Sequence, residues 1–340
     1  MTKVQNVPLT ILEEILSYNE PEERIEILEV SKSFNDAITE VNKKQITQWS
    51  KRSLSIPADL KSASWSIKIS HVYQRVMSFA ERVGFDVKDI KNPIDNLPLI
   101  LQKVEETENS LLIFFWDLLR GNPILNPPQP LGSVAEKARI YRDWMSANET
   151  ALNLITELDL SGSDLVGVPQ EIKLFKNLIV LNLEDTQLRV LPYLGLEHLE
   201  YLHLDNTPIR ALPKLNLPNL YSITLSGTQI TFLPELELPG LHHLWADNTL
   251  IEAISEKLKL PSLRFLFLEG AQITELPALE FPCLKKLVLY RAQKITTIPV
   301  SFNQAQLKKL DIRDTSIKEL ANCFNRPDLT IFSDHKITFY

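Results

Sequence analysis

Between residues 155 and 312 the chain repeats one pattern of apolar and polar positions eight times. Each copy reads leucine or isoleucine, two variable residues, leucine or isoleucine, one variable residue, and leucine or isoleucine, except that Ala246 takes the last position in the fifth copy. The copies begin 21 to 23 residues apart, at Ile155, Leu178, Leu199, Leu220, Leu241, Leu263, Leu284 and Leu307. A ninth, degenerate copy begins near Leu329. The alternation predicts one short β-strand per copy, with the apolar side chains on its buried face.

A fixed period of about 20–29 residues with this pattern is the signature of a leucine-rich-repeat solenoid, whose strands form one parallel concave sheet. A second apolar pair follows each strand, for example Ile209 and Leu212, and in six repeats a proline comes next. These prolines are Pro169, Pro192, Pro213, Pro234, Pro277 and Pro299. Because proline is excluded from helix interiors and the repeats are short, we expect extended or 3₁₀ segments on the outer side.

The residues before the repeats predict helices. The sequence Thr107–Ser110 resembles a helix start, and Gly121 ends the helix that runs through Leu119. A proline-rich connector follows at 122–132, and 135–145 forms an amphipathic helix that we expect to cap the open end of the solenoid. The predicted fold is therefore α+β, with a helical module at 1–45, a helical linker and cap at 46–150, and about eight repeats at 151–340.

Side chains of a strand alternate between its two faces, so the third, fifth and seventh positions of each repeat face away from the leucines. We expect an aromatic patch on this side, formed by His243, Trp245, Phe265, Phe267 and Tyr290. Exposed apolar patches mark contacts, and Trp and Tyr are favoured interface anchors. The further partner-binding candidates on this face are Tyr201, His203, Asp247, Glu269, Arg291, Lys309 and Arg313. An alternative is that terminal elements fold back over the patch and cover it.

Charge is distributed unevenly along the repeats. Residues 151–280 contain 17 acidic and 8 basic residues, whereas 281–340 contain 5 and 10. The seventh positions form an acidic column beside the aromatic patch, namely Glu184, Asp205, Asp247 and Glu269. A basic end lies beyond it, formed by Lys286, Arg291, Lys309 and Arg313. Such a dipolar surface can orient a partner and speed its encounter.

Composition argues against several other functions. The net charge of −7 disfavours nucleic-acid binding, which requires a basic face. The longest dense apolar run, 111–116, is too short to span a membrane, and the first residues have no apolar signal core. Only nine glycines occur and no phosphate-binding loop is present, so we expect no nucleotide cofactor. The six histidines are scattered and no set of carboxylates and cysteines completes a metal site, so we expect no metal. The two cysteines, Cys283 and Cys323, indicate a reducing compartment and show no partner base for catalysis.

The first 32 residues resemble an F-box. That family begins with Leu-Pro, continues with apolar residues to Ile-Leu, starts its second helix at a proline, and ends in Val-Ser/Cys-Lys/Arg. The matching residues here are Val7, Pro8, Ile11, Leu12, Ile15, Leu16, Ser17, Tyr18, Pro21, Leu28, Val30, Ser31 and Lys32. The chain departs from the pattern at Thr10, where the family is usually acidic, and at Asn19, where it is usually apolar.

This resemblance implies that the N-terminal helices dock on a Skp-type adaptor of a cullin–RING ubiquitin ligase while the repeats hold a protein substrate. The adaptor-binding residues would be Val7, Pro8, Ile11, Leu12, Ile15, Leu16, Leu28 and Val30. The stretch at 135–172 is similar to the solenoid entrance of leucine-rich-repeat proteins of amoeba-associated intracellular bacteria, Chlamydia-like organisms and legionellae. It implies an effector in the cytosol of a eukaryotic host.

Two alternatives remain open from the sequence. The chain could be a plain binding scaffold whose N-terminal helices only cap the solenoid. It could also be an enzyme like the bacterial leucine-rich-repeat ubiquitin ligases, which use Cys-x-Asp. Cys323 is followed by Phe324 and Asn325, which disfavours this second alternative.

Overall fold

The third to fifth positions of the repeats form short parallel strands, as the leucine pattern predicts. The computed structural model describes residues 97–340. Nine strands form the concave sheet, in the order β1-β2-β3-β4-β6-β8-β9-β10-β12. They are β1 (Glu157–Asp159), β2 (Val180–Asn182), β3 (Tyr201–His203), β4 (Ser222–Thr224), β6 (His243–Trp245), β8 (Phe265–Phe267), β9 (Lys286–Val288), β10 (Lys309–Asp311) and β12 (Thr330–Phe332). The sheet thus has one strand more than the eight regular repeats.

The segments that return from one concave strand to the next are extended or 3₁₀, as the prolines predict. Two short parallel pairs lie there, β5 (Phe232–Leu233) with β7 (Ala253–Ile254) and β11 (Glu319–Leu320) with β13 (Thr338–Phe339). The 3₁₀ helices span Gln170–Leu174, Val300–Phe302 and Asn322–Phe324. Two of them follow the predicted prolines, Pro169 and Pro299.

The ninth strand differs from the sequence-based frame by one residue. Counting from Leu329 predicts that the fifth position is residue 333, whereas the register pairs Asp311 with Phe332. Leu329 itself is buried, so the repeat loses one residue between its first leucine and its strand. This shortening brings an aromatic side chain next to the basic end.

The chain leaves each concave strand through a corner with two recurring features. The eighth residue has a left-handed backbone in the first eight repeats, at Gly162, Asp185, Asn206, Gly227, Asn248, Gly270, Arg291 and Asp314. Glycine, Asn and Asp tolerate this conformation better than other residues, and Arg291 is the exception. The ninth residue is usually threonine; the buried Thr207 hydroxyl, for example, donates to the Leu204 carbonyl at 2.7 Å. Ala271 and Ala292 replace this hydroxyl in two repeats.

Three helices precede the sheet within the described residues: α1 (Leu97–Leu119), α2 (Val134–Ala147) and α3 (Glu149–Leu152). The predicted helix start at 107–110 is wrong, because α1 passes through these residues without interruption. Asn109 lies in the middle of α1, and its buried side chain accepts a hydrogen bond from Arg142 at 2.7 Å. The expected helix at 135–145 is confirmed as α2, which Ser133 and Glu136 cap reciprocally.

Helix α2, which was expected to cap the solenoid, and helix α1 both pack at the end where the first repeat begins. Trp116 of α1 stacks on Tyr141 of α2 with ring centroids 5.7 Å apart. Phe115 meets Phe175 of the first repeat edge-on at 5.9 Å. One apolar core therefore continues from these helices into the leucines of the repeats. Residues 108–340 form one compact unit.

The predicted module at 1–45, and the linker up to residue 96, lie outside the described residues. Among residues 97–340, no helix is both long enough and apolar enough to cross a membrane.

Candidate functional site: the concave face

The strand register brings the predicted outward positions together on one face. His243 lies beside Phe265, and Trp245 beside Phe267, on the adjacent strands β6 and β8. The leucines between them are buried, which confirms the predicted alternation. Most third, fifth and seventh positions are partly or fully exposed, but neighbours on the sheet cover Ser222, Val288 and Asp311.

Trp245 and Phe267 form the ring pair at the centre of the aromatic patch. Their ring centroids are 4.0 Å apart and their planes differ by 3°, so the two side chains stack across the strands. The Lys286 ammonium lies 4.7 Å from the centroid of the Phe267 ring. Trp245 remains 36% exposed, although burial of such a large apolar side chain would stabilise the folded protein. The ring pair is thus a preformed, flat apolar surface open to solvent.

A second row of rings lies mainly at the third positions of the repeats and runs parallel to the ring pair. Tyr201, Tyr221, His243 and Phe265 follow one another at centroid distances of 5.8, 5.2 and 4.8 Å. Tyr221 is missing from the sequence-based patch because it occupies a second position, at the entrance of β4. Burial lowers the pKa of His243, and the charges of His242 and Arg264 lower it further. This shift favours the neutral imidazole, which contributes a flat, weakly polar surface.

The basic end is built around Tyr290. The guanidinium groups of Arg291 and Arg313 lie 4.8 and 5.0 Å from its ring centroid. Arg313 also donates to both carboxylate oxygens of Asp311, at 2.9 and 2.6 Å, and this pair raises the pKa of Arg313. The ring of Phe332 lies 5.8 Å from the same guanidinium, a contact that the irregular ninth repeat hid from sequence-based prediction. Lys309 is exposed on the neighbouring strand.

The acidic column has a structural as well as an electrostatic role. Asp205 accepts a hydrogen bond from the Ser226 backbone N–H at 2.6 Å, and Asp247 accepts one from the Glu269 N–H at 2.7 Å. Burial raises the pKa of Asp247, and the nearby charges of Glu269 and Asp205 raise it further. Both aspartates thus bind the following repeat while one oxygen of each carboxylate stays available.

The structure places all twelve predicted partner-binding residues on the concave face or at its edge. His203 lies between the acidic column and the third-position row, 3.4 Å from the Thr224 hydroxyl. The eight predicted adaptor-binding residues, from Val7 to Val30, lie outside the described residues.

Reactive side chains are not grouped on this face. Within residues 97–340, no group of three or more His, Cys, Asp or Glu side chains could hold a metal ion. Cys283 and Cys323 are both free thiols, the first half-buried and the second exposed. The arrangement offers apolar contact and charge for binding.

The repeat period and the nine-stranded parallel sheet define the chain as a leucine-rich-repeat solenoid protein. No protein-family model matches the sequence, and no curated protein does.

Several solved leucine-rich-repeat structures are similar to the chain. A leucine-rich-repeat protein of Leptospira interrogans is 28% identical over 43% of this chain and 45% of its own, with a TM-score of 0.35. An internalin-like protein of Listeria monocytogenes is 19% identical over 54% of this chain and 60% of its own, with a TM-score of 0.41. The leucine-rich effector protein YopM of Yersinia pestis is 18% identical over 66% and 76%, with a TM-score of 0.31. The chain spans less than two thirds of the first two structures.

Proposed function

We propose that this protein is a non-catalytic binding protein that holds a protein partner against its concave sheet. The observation that carries the proposal is the stacked ring pair, Trp245 and Phe267, at outward positions in the centre of the sheet. Contiguous apolar surface of this kind is costly to leave in water and is typical of contact sites. Aromatic side chains also dominate the binding energy of protein interfaces.

The test is affinity capture from eukaryotic cytosolic extract with the full chain and with the Trp245→Ala/Phe267→Ala variant. We expect the variant to lose a specifically captured protein, because truncating an interface anchor costs about 2 kcal/mol or more. The matched control is Tyr193→Ala/Phe232→Ala, which removes two exposed aromatic rings away from the concave strands. A partner retained by the ring-pair variant, or lost equally in the control, would contradict the proposal.

We further propose that the N-terminal segment docks on a Skp-type adaptor, so that the chain acts as a substrate receptor of a cullin–RING ubiquitin ligase. The support is the F-box resemblance of residues 7–32 alone. The proposed site of action is the cytosol of a eukaryotic host, as a secreted effector, and its support is the resemblance of residues 135–172 to proteins of amoeba-associated intracellular bacteria. The concave face would then hold the protein that is to be ubiquitinated.

The adaptor proposal is tested with the full chain and a purified Skp-type adaptor. Binding should be lost in Pro8→Ala/Leu12→Ala and kept in Trp245→Ala/Phe267→Ala, since the two variants alter different segments of the sequence. An adaptor that does not bind the unmodified chain would leave the plain scaffold as the function. Autoubiquitination by the purified chain with ubiquitin-activating and ubiquitin-conjugating enzymes alone would contradict a non-catalytic role.

A further inference from the structure

Three parallel tracks cross the strands on the concave face. They are the third-position row of rings, the ring pair at the fifth position, and the acidic column at the seventh. Adjacent strands are about 4.8 Å apart, and two positions along one strand are separated by about 7 Å. A partner segment that rests on the ring pair therefore lies within side-chain reach of Asp247 and Glu269, which belong to the same two repeats.

The charge beside the rings is negative along the seventh positions, and Lys286 is the cation on the β9 side. Within residues 97–340, no ion pair involves Asp205, Asp247 or Glu269. In the basic end, Arg313 is bonded to Asp311 and Arg291 lies over Tyr290, whereas Lys286 and Lys309 have no ion pair within residues 97–340. The acidic column thus faces the concave side without an ion pair among the described residues.

Electrostatic repulsion within the acidic column agrees with this picture. Burial is the largest cause of the raised pKa of Asp247, and the carboxylates of Glu269 and Asp205 add to it. The hydrogen bond from the Glu269 backbone N–H and, to a lesser extent, Lys286 oppose the shift without reversing it. A cation delivered by a partner would relieve this repulsion.

We infer that the concave face binds a basic amphipathic segment of a partner protein. An apolar side chain of this segment packs on the ring pair, and its Lys or Arg side chains pair with Asp205, Asp247 and Glu269. The inference rests on the proposed binding function and specifies the chemistry of the partner. The acidic column extends over four strand spacings from β2 to β8, roughly 19 Å, which corresponds to about 13 residues of helix.

The basic end sets the direction of the segment. Lys286 and Arg291 lie beyond β8 and repel basic side chains, whereas Asp205 lies on the opposite side of the ring pair. The basic residues of the segment are therefore concentrated over β3 to β8, and any acidic residue it contains lies toward β9 and β10.

The experiment selects peptides from a displayed random 16-residue library on the purified full chain, and measures the affinity of the enriched peptides by fluorescence anisotropy. The test variant is Asp205→Asn/Asp247→Asn/Glu269→Gln. It removes three negative charges, while the side-chain oxygen at positions 205 and 247 can still accept the hydrogen bond from the backbone N–H of the next repeat. The matched control is Glu256→Gln/Glu275→Gln/Glu280→Gln, an equal change at exposed positions outside the concave strands. Trp245→Ala/Phe267→Ala is the second test variant.

We expect enriched peptides that combine Lys or Arg with apolar residues. Their affinity should fall about tenfold on either test variant, stay unchanged on the control, and weaken as salt is added. Peptides that require the ring pair but bind equally after neutralisation of the acidic column would overturn the inference and leave the proposed binding function intact. The inference would also be overturned if all enriched peptides bound the Trp245→Ala/Phe267→Ala variant as tightly as the unmodified chain. The capture experiment described above tests the proposed binding function separately.

Discussion

At the scale of single residues, Asp247 combines two functions that oppose each other energetically. Its carboxylate accepts the Glu269 N–H and so joins two repeats. Burial of the Asp247 carboxyl group and the charges of the neighbouring carboxylates raise its pKa above the ordinary value of 3.8. Since the folded state binds the proton more tightly than the unfolded state, stability is lost as the pH rises through this pKa. The residue is thus less favourable to folding at pH 7 than a neutral acceptor would be.

We therefore predict that Asp247→Asn raises the free energy of unfolding at pH 7 by about 0.5 kcal/mol, because the amide keeps the acceptor without the charge. The gain should shrink toward pH 3, where the carboxyl of the unmodified chain is protonated. Urea unfolding followed by tryptophan fluorescence at both pH values measures it. Asp164→Asn, at an exposed position, is the control and should show no such dependence. A loss of stability at pH 7 would contradict the prediction.

At the scale of elements, a polar contact fastens the capping helices to the first repeat. Arg142 of α2 donates to Glu171 in the 3₁₀ helix Gln170–Leu174 at 2.7 Å and to Asn109 of α1 at the same distance. Glu171 and Asn109 are buried, whereas Arg142 is about one third exposed. One guanidinium therefore satisfies two buried polar groups from different elements.

Arg142→Met should lower the free energy of unfolding by about 2 kcal/mol, because the Glu171 carboxylate stays buried without its partner. Arg139→Met on the same helix is the matched control. Its pair with Asp143 is exposed and should contribute less than about 1 kcal/mol. Urea denaturation of both variants provides the comparison. Equal effects would mean that the polar contact does not fasten the cap.

At the scale of the whole molecule, the solenoid depends on its ends. Each repeat buries its leucines against its neighbours, so the first repeat needs a cover that is not a repeat. Helices α1 and α2 supply apolar contact to Phe175 and the leucines beyond it. In the plain-scaffold alternative, the N-terminal residues only cap the solenoid. In the substrate-receptor proposal, they dock on an adaptor.

We predict that a chain of residues 97–340 keeps the urea midpoint of the full chain, whereas residues 153–340 lose stability and bind a hydrophobic dye. The reason is that the second truncation removes α1 and α2 and uncovers the first repeat. A large loss of stability on removing residues 1–45 alone would favour the plain scaffold over a separate docking module. Retained stability of 153–340 would contradict the capping role of the helices.

The repeat pattern is local and recurs many times, so it predicts the solenoid from sequence. Leucines at the first, fourth and sixth positions require one buried face per strand, and a constant spacing stacks the strands in parallel. The outward positions follow from the same alternation, which is why Trp245 and Phe267 could be placed side by side. Helix α2 could be predicted as well, because its apolar face lies within one short segment.

Contacts that depend on loop length and on pairing between distant residues were decided only by the tertiary structure. Tyr221 joins the row of rings from a second position, and Phe332 reaches Arg313 because the ninth repeat is one residue short. Arg142 finds its partners 29 and 33 residues away in sequence. The sequence by itself determined that a platform with exposed aromatic and charged positions forms. Tertiary packing decided which of these side chains stack, pair or remain available, because such contacts depend on three-dimensional distances that no local pattern encodes.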